Sequence, residues 1–228
     1  MIPLRDDNPI RGIPVVTIAL IVLSALAYLW QLSLPAETAE MAIYQLGFVP
    51  ALLFGQAALD APPWVPAGAT IFTSMFLHGG FLHLAGNMLY LWIFGDNVED
   101  RVGRGRFVLF YLLCGAIAAL VQALPDGRST LPMIGASGAV SGVLGAYAVL
   151  YPRANVLVVL PLIIVFYTAR VPAFVVLGLW FAGQLLSSLA AESGAGGIAF
   201  GAHVGGFIAG ALLIRWFLRD RRRARSSR

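Results

Sequence analysis

Apolar residues in this chain come in blocks of about 20, the length a helix needs to cross the hydrocarbon core of a bilayer. Six such blocks can be drawn: Ile13–Leu34, Phe81–Val98, Phe107–Leu124, Met133–Tyr151, Val171–Leu189 and Ile198–Leu218. A further stretch, Val156–Tyr167, is only about 12 residues long and contains Pro161, so it is too short to cross alone. It reads as a re-entrant or interfacial piece between the fourth and fifth spans. The pattern predicts an all-α polytopic membrane protein with six transmembrane helices. Residues 1–218 form one domain and residues 219–228 a basic tail.

Arginine placement tests the count independently. With the N-terminus inside, Arg5, Arg11, Arg101, Arg104, Arg106, Arg153, Arg170 and the tail from Arg215 onward all fall on the cytoplasmic side. The external segments then carry only Arg128, together with Glu37, Glu40, Asp60, Asp126 and Glu192. Six spans with both termini cytoplasmic satisfy the positive-inside rule, whereas seven would put the arginine-rich tail outside. The first block is too long for a signal peptide and no small-residue cleavage site follows it, so it is expected to remain as a span.

Composition agrees. The 228 residues are 59% hydrophobic and 11% charged, well below the charge content of soluble domains. The net charge of +4 is carried by arginine at segment ends, which points to membrane orientation and headgroup binding rather than nucleic acid. The single cysteine, Cys114, lies mid-span and reads as a buried thiol. Between the first two spans, Pro35–Gly80 forms a long external segment whose Leu52, Leu53, Phe54 and Trp64 suit the membrane surface.

Polar groups inside apolar spans are costly and mark function by default. Here they are His83 and Asn87 in the second span, Ser137 and Ser141 in the fourth, and His203 in the sixth. All three spans start outside, and His83, Asn87, Ser137 and His203 lie in their first turns, near one membrane face. Glycines at 135 and 138 leave the Ser137 hydroxyl open. Gly138, Ser141, Gly142 and Gly145 continue a small-residue face, and Gly206 and Gly210 follow His203 on its own face. If the two faces pack, His203 is delivered toward Ser137, and a serine needs such a base. His83 and Asn87, four apart, share a helix face and could donate to a developing oxyanion. Taken singly, each has a plainer reading: a glycine-rich helix, an interfacial histidine, an interhelical hydrogen-bonded pair. His78 could be structural or could order the loop. The joint occurrence at one depth is what argues for chemistry.

The motifs His83-Leu-Ala-Gly-Asn87, Gly135-Ala-Ser137-Gly138 and Ala202-His203-x-x-Gly206-x-x-x-Gly210 resemble the rhomboid family of intramembrane serine proteases. The fragment Val98-Glu99-Asp100-Arg101 with Gly103 and Gly105 is similar as well. The resemblance implies Ser137 as nucleophile and His203 as general base, with His83, Asn87 and the Ser137 backbone N–H as oxyanion hole. It also implies substrate entry beside the fifth span, a mobile cap over Glu192–Gly201, no cofactor and no metal. Implied partners are single-pass transmembrane substrates and membrane lipids, and the expected location is a prokaryotic inner membrane. Two positions depart from the family. Where many members carry Trp-Arg, this chain reads Ala67-Gly68-Ala69-Thr70, and Ser141 replaces a tyrosine that in some members stacks on the base. The competing readings are a catalytically silent client-binding relative and a transporter. The transporter is disfavoured because the polar groups lie near one face, and the absence of His-Glu-x-x-His excludes that class of metalloprotease.

Overall fold

A computed structural model of the protein describes residues 1–59, 61–162, 165–190 and 199–218. The order is β1 (Ile2–Asp6), α1 (Val15–Ser33), α2 (Ala36–Leu46), α3 (Pro50–Leu53), α4 (Thr70–Thr73), α5 (Phe81–Val102), α6 (Arg104–Ala123), α7 (Ser137–Leu150), β2 (Asn155–Leu162), β3 (Val165–Pro172), α8 (Ala173–Ala190) and α9 (Phe200–Phe217). A helix covers most of each of the six apolar blocks, with α5, α6 and α8 running past their expected bounds. By length and composition α1, α6, α8 and α9 can cross a membrane. Helix α5 is as long but ends in a polar turn containing Asp96, Glu99, Asp100 and Arg101. The protein is a mostly helical, multi-pass membrane protein.

Helix α7 is the axis of the bundle. Every residue from Gly138 to Tyr147 is buried, and α5, α6, α8 and α9 all pack on it. Its 14 residues make a rod of about 21 Å, short of a hydrocarbon core about 30 Å thick. Its first residue, Ser137, therefore need not lie at the membrane surface. Residues 133–135, expected as helix, lie outside it, and Ala136 is the N-cap of α7. Met133 pairs through both backbone groups with Phe48 in the segment between α1 and α5, and Gly135 takes φ +120, which a side chain would strain.

Small residues let α9 approach α7 closely. A Cβ on Gly206 would run into the carbonyl of Gly138, one on Gly210 into the carbonyl of Gly142, and one on Gly145 into that of Phe207. Contact of backbone against backbone is what dispersion packing in lipid requires. At the opposite end of the bundle, α1 begins after Pro14 without a side-chain cap of its own. The Glu99 carboxylate of α5 supplies one, accepting from the backbone N–H groups of Val16 (3.0 Å) and Thr17 (2.8 Å) and from the Thr17 hydroxyl.

The all-α expectation needs one correction. The stretch 156–167 is neither helical nor a simple re-entrant loop: it belongs to the antiparallel hairpin β2–β3, joined by β1 in a three-stranded sheet ordered β1-β2-β3. Its β-branched run alternates, with Val156 and Val158 fully buried against the helices and Leu157 and Val159 less so. Asp6 at the end of β1 accepts hydrogen bonds from the Tyr147 hydroxyl and, at 3.1 Å, from Asn97. Burial raises the Asp6 carboxyl above its ordinary value of 3.8, and the bond from Tyr147 offsets part of that rise.

Candidate active site

Five parts of the chain line one cavity of about 570 Å³: the start of α5, the segment Pro132–Ile134, the first turns of α7, the middle of α8 and the start of α9. A volume of that order suits a peptide-sized ligand group. Ser137, Asn87, His83 and His203 all face it, so the structure brings the predicted polar residues together.

Ser137 is the first residue of α7, where backbone N–H groups of the opening turn have no partner within the helix and the helix dipole is positive. Preceding it, Gly135 marks where two donors converge. A Cβ placed there would lie 2.7 Å from His83 Nε2 and 3.8 Å from Asn87 Nδ2. Only glycine leaves that point open. His83 Nδ1 accepts from the Gly79 N–H at 3.4 Å, which puts the ring proton on Nε2, the nitrogen facing Gly135. Asn87 is 8% exposed and its Nδ2 is buried without a hydrogen-bond partner. Unsatisfied buried donors are rare and costly, so this one marks a place for a negative or carbonyl oxygen.

His203 is held from three sides. Its ring lies 6.0 Å from that of Trp180 on α8 and 6.3 Å, edge to face, from Phe200. Its Nδ1 is 2.6 Å from Gln184 Oε1, also on α8. Helix α9 is anchored beneath it by Gln122 of α6, whose side-chain oxygen accepts from the Ala202 N–H at 2.9 Å. Gln184 and Gln122 were both missed by the sequence reading. The rule that flagged His83 and Asn87, a polar side chain inside an apolar span, applies to them equally.

Other polar residues have structural work. Ser141 donates to the Ser137 carbonyl at 2.6 Å, a bond back along its own helix, and is 1% exposed. His78 is tied by its backbone to both ends of the Gln31 amide of α1, and its Nδ1 lies 3.2 Å from the Phe76 carbonyl. Burial lowers its pKa from 6.5 to about 4, so the ring is neutral near pH 7. The stretch Ala67–Phe76, whose first residues stand where the Trp-Arg pair is missing, is held by other bonds: Thr70 Oγ1 to the Ala67 carbonyl within it, Thr73 Oγ1 to the Leu46 carbonyl, and the Gly135 N–H to the Ser74 carbonyl. The last of these links the segment between α1 and α5 to the approach to Ser137. Gly138 packs toward Ala118 and Ala202. Most of the expected cap, Glu192–Gly201, lies outside the described residues, as does the tail.

Comparison with known proteins fits this geometry. The Rhomboid domain profile matches residues 67–220, more than half the chain and the whole of the cavity lining. The chain belongs to the rhomboid family. Among its rhomboid relatives, Rhomboid protein 1, mitochondrial, of Saccharomyces cerevisiae is 30% identical over 68% of this chain and 43% of its own length. Rhomboid protease GluP of Bacillus subtilis is 43% identical over 33% of this chain and 14% of its own. Rhomboid-like protein 11, chloroplastic, of Arabidopsis thaliana is 29% identical over 67% of this chain and 53% of its own. The chain thus spans about half or less of these relatives' own lengths. Two of the three carry organellar names, so the expected prokaryotic inner membrane draws no support from them.

Proposed function

We propose that this rhomboid is an intramembrane serine endopeptidase that cleaves transmembrane segments of single-pass proteins near the external membrane face. The observation that carries the reading is the cavity in which Ser137 and His203 meet two polar groups from a third helix, one of them the unpartnered Asn87 amide. The reading includes six spans, α1 and α5 to α9, with both termini cytoplasmic. Residues 1–218 form the protease domain, and the tail 219–228 rests on anionic headgroups.

The mechanism follows from the groups present. Ser137 Oγ attacks the scissile carbonyl carbon while His203 Nε2 takes the hydroxyl proton. The carbonyl oxygen becomes an oxyanion beside Gly135, where His83 Nε2–H, Asn87 Nδ2 and the Ser137 backbone N–H donate to it. Collapse of this intermediate breaks the peptide C–N bond, and the imidazolium returns its proton to the leaving amine. The acyl group left on Ser137 is then attacked by water while His203 takes the water's proton, and the acyl C–Oγ bond breaks as the imidazolium returns that proton to Ser137 Oγ. Both termini of the cut are released and the enzyme is restored. A backbone carbonyl reaches Ser137 only by leaving its helical hydrogen bond, so substrates are segments that unwind easily.

The test uses purified protein in liposomes with a single-pass test substrate, comparing wild type with folded Ser137→Ala and His203→Ala. Cleavage by wild type alone is the expected result. Silence of wild type toward several such substrates, or cutting by Ser137→Ala, overturns the proposal in favour of a client-binding relative.

A further inference from the structure

The geometry points to Gln184 as the positioning residue for His203: its side-chain oxygen accepts the Nδ1 proton, fixes the ring tautomer and so leaves Nε2 free to act as base. The inference rests on the protease reading of this cavity. It concerns a residue on a different helix from any group in the nucleophile, base or oxyanion assignments.

The contact is short and specific. Nδ1 of His203 lies 2.6 Å from Gln184 Oε1. Which ring nitrogen carries the proton is set by the bond the other makes. With an amide oxygen opposite Nδ1, the proton sits on Nδ1 and the lone pair on Nε2. His83 is set the opposite way, because the Gly79 N–H donates to its Nδ1 and leaves the proton on Nε2. Two histidines facing one cavity are thus locked into complementary tautomers. His83 donates, as an oxyanion stabiliser must, and His203 accepts, as a base must. Neither pattern needs a carboxylate. Among the groups that touch the His203 ring, the aromatic rings of Trp180 and Phe200 give it a plane, and Gln184 alone gives it a direction about that plane.

An amide also differs usefully from a carboxylate here. The usual third member of a serine triad stabilises the imidazolium by its charge. A neutral oxygen orients the ring without placing a second charge in a low-dielectric cavity, where an unpaired carboxylate would be costly. Gln184 and Trp180 stand four apart on one face of α8, so the same helix supplies the orienting bond and one wall of the base's slot. Correct orientation of the base therefore requires α8 to be seated against α9.

The experiment pairs kinetics with a direct view of the tautomer in the full chain. The protein has three histidines, so nitrogen-15 histidine labelling gives a simple spectrum. Wild-type His203 is expected as the Nδ1–H form and His83 as the Nε2–H form. In Gln184→Leu, His203 should lose its Nδ1–H preference. Its kcat should fall by about 10²-fold with KM unchanged, less than the loss from wrong-tautomer variants of charged triads. Gln184→Glu keeps an acceptor oxygen and should restore most of kcat while moving the acidic limb of the pH profile upward, as a nearby carboxylate favours the imidazolium. Wild-type kcat in Gln184→Leu, or an unchanged His203 tautomer, overturns the proposal while leaving the protease reading intact. The protease reading fails instead if wild type neither cleaves nor labels at Ser137 with a fluorophosphonate. The spectrum then still decides whether Gln184 sets the tautomer. Should Gln184→Leu not fold, Gln184→Glu alone discriminates: an unshifted pH profile sinks the assignment.

Discussion

At the scale of single residues, Asn87 separates a catalytic role from a structural one. Its Nδ2 is buried and has no hydrogen-bond partner among the described residues, so that group does not hold the fold together. Replacing such a group by an apolar one of similar size removes a desolvation penalty. Asn87→Leu should therefore leave the thermal midpoint unchanged or raised, while kcat falls by about 10²–10³, the usual loss on removing one oxyanion donor. A variant that loses stability and activity together would return Asn87 to the role of an interhelical strut. The sequence disclosed Asn87, His83, Ser137 and His203 because polar side chains in lipid-length apolar runs stand out. It did not disclose the ring tautomers. These depend on the Gly79 N–H and the Gln184 oxygen, one a backbone group and the other nineteen residues from its histidine.

Helices and strands were legible to different degrees. The main helix in each apolar block follows from block length, and the α7–α9 seam from the spacing of small residues. Among the described residues, the geometry separates glycines that carry the seam from those that do not. A Cβ on Gly210 would meet the backbone of Gly142, whereas nothing lies within 4 Å of the corresponding point on Gly178. Gly210→Ala should push α9 from α7 and destabilise by about 1–3 kcal/mol, the usual range for overpacking. Gly178→Ala should be neutral. Unfolding in mixed micelles reads both, and equal effects would mean that α9 can shift without loss. The sheet was not legible. β1 has five residues, two of them charged, and only long-range pairing with β2 makes it a strand. The hairpin's apolar run, read by hydropathy alone, is indistinguishable from a membrane segment of the same length. Its alternation, Val156 and Val158 in, Leu157 and Val159 less so, was the available signal.

Over the whole molecule, packing is uneven, and the loose part lies where a substrate of the proposed protease would enter. Helix α7 is buried along ten consecutive residues, while the buried residues of α8 are Ala173, Val176 and Leu177, all in its first two turns. Beyond them, among the described residues, α8 makes side-chain contacts: Trp180 and Phe181 against Phe207, Trp180 and Gln184 against His203, and Trp180 against Tyr90 of α5, with ring centroids 6.5 Å apart. The Tyr90–Trp180 contact joins the two helices between which a lipid-embedded segment would reach the cavity. Elements with few buried contacts are the ones that open at low free-energy cost. Tethering α5 to α8 with a short thiol-reactive cross-linker, in a Tyr90→Cys/Trp180→Cys variant that also carries Cys114→Ala, should abolish cleavage of a transmembrane substrate. Labelling of Ser137 by a small fluorophosphonate, which can enter from the aqueous side, should persist. Comparing the same variant before and after cross-linking removes any effect of losing Trp180 beside His203. Releasing a cleavable cross-linker should restore the rate. Equal loss of cleavage and labelling would mean that the tether distorts the site itself, and unchanged cleavage would move the entry path away from α8. The entry path and the Gln184 bond share one helix, so an enzyme with α8 displaced should have both an open door and a misoriented base. On the proposed mechanism, α8 should therefore close behind the substrate before Ser137 attacks.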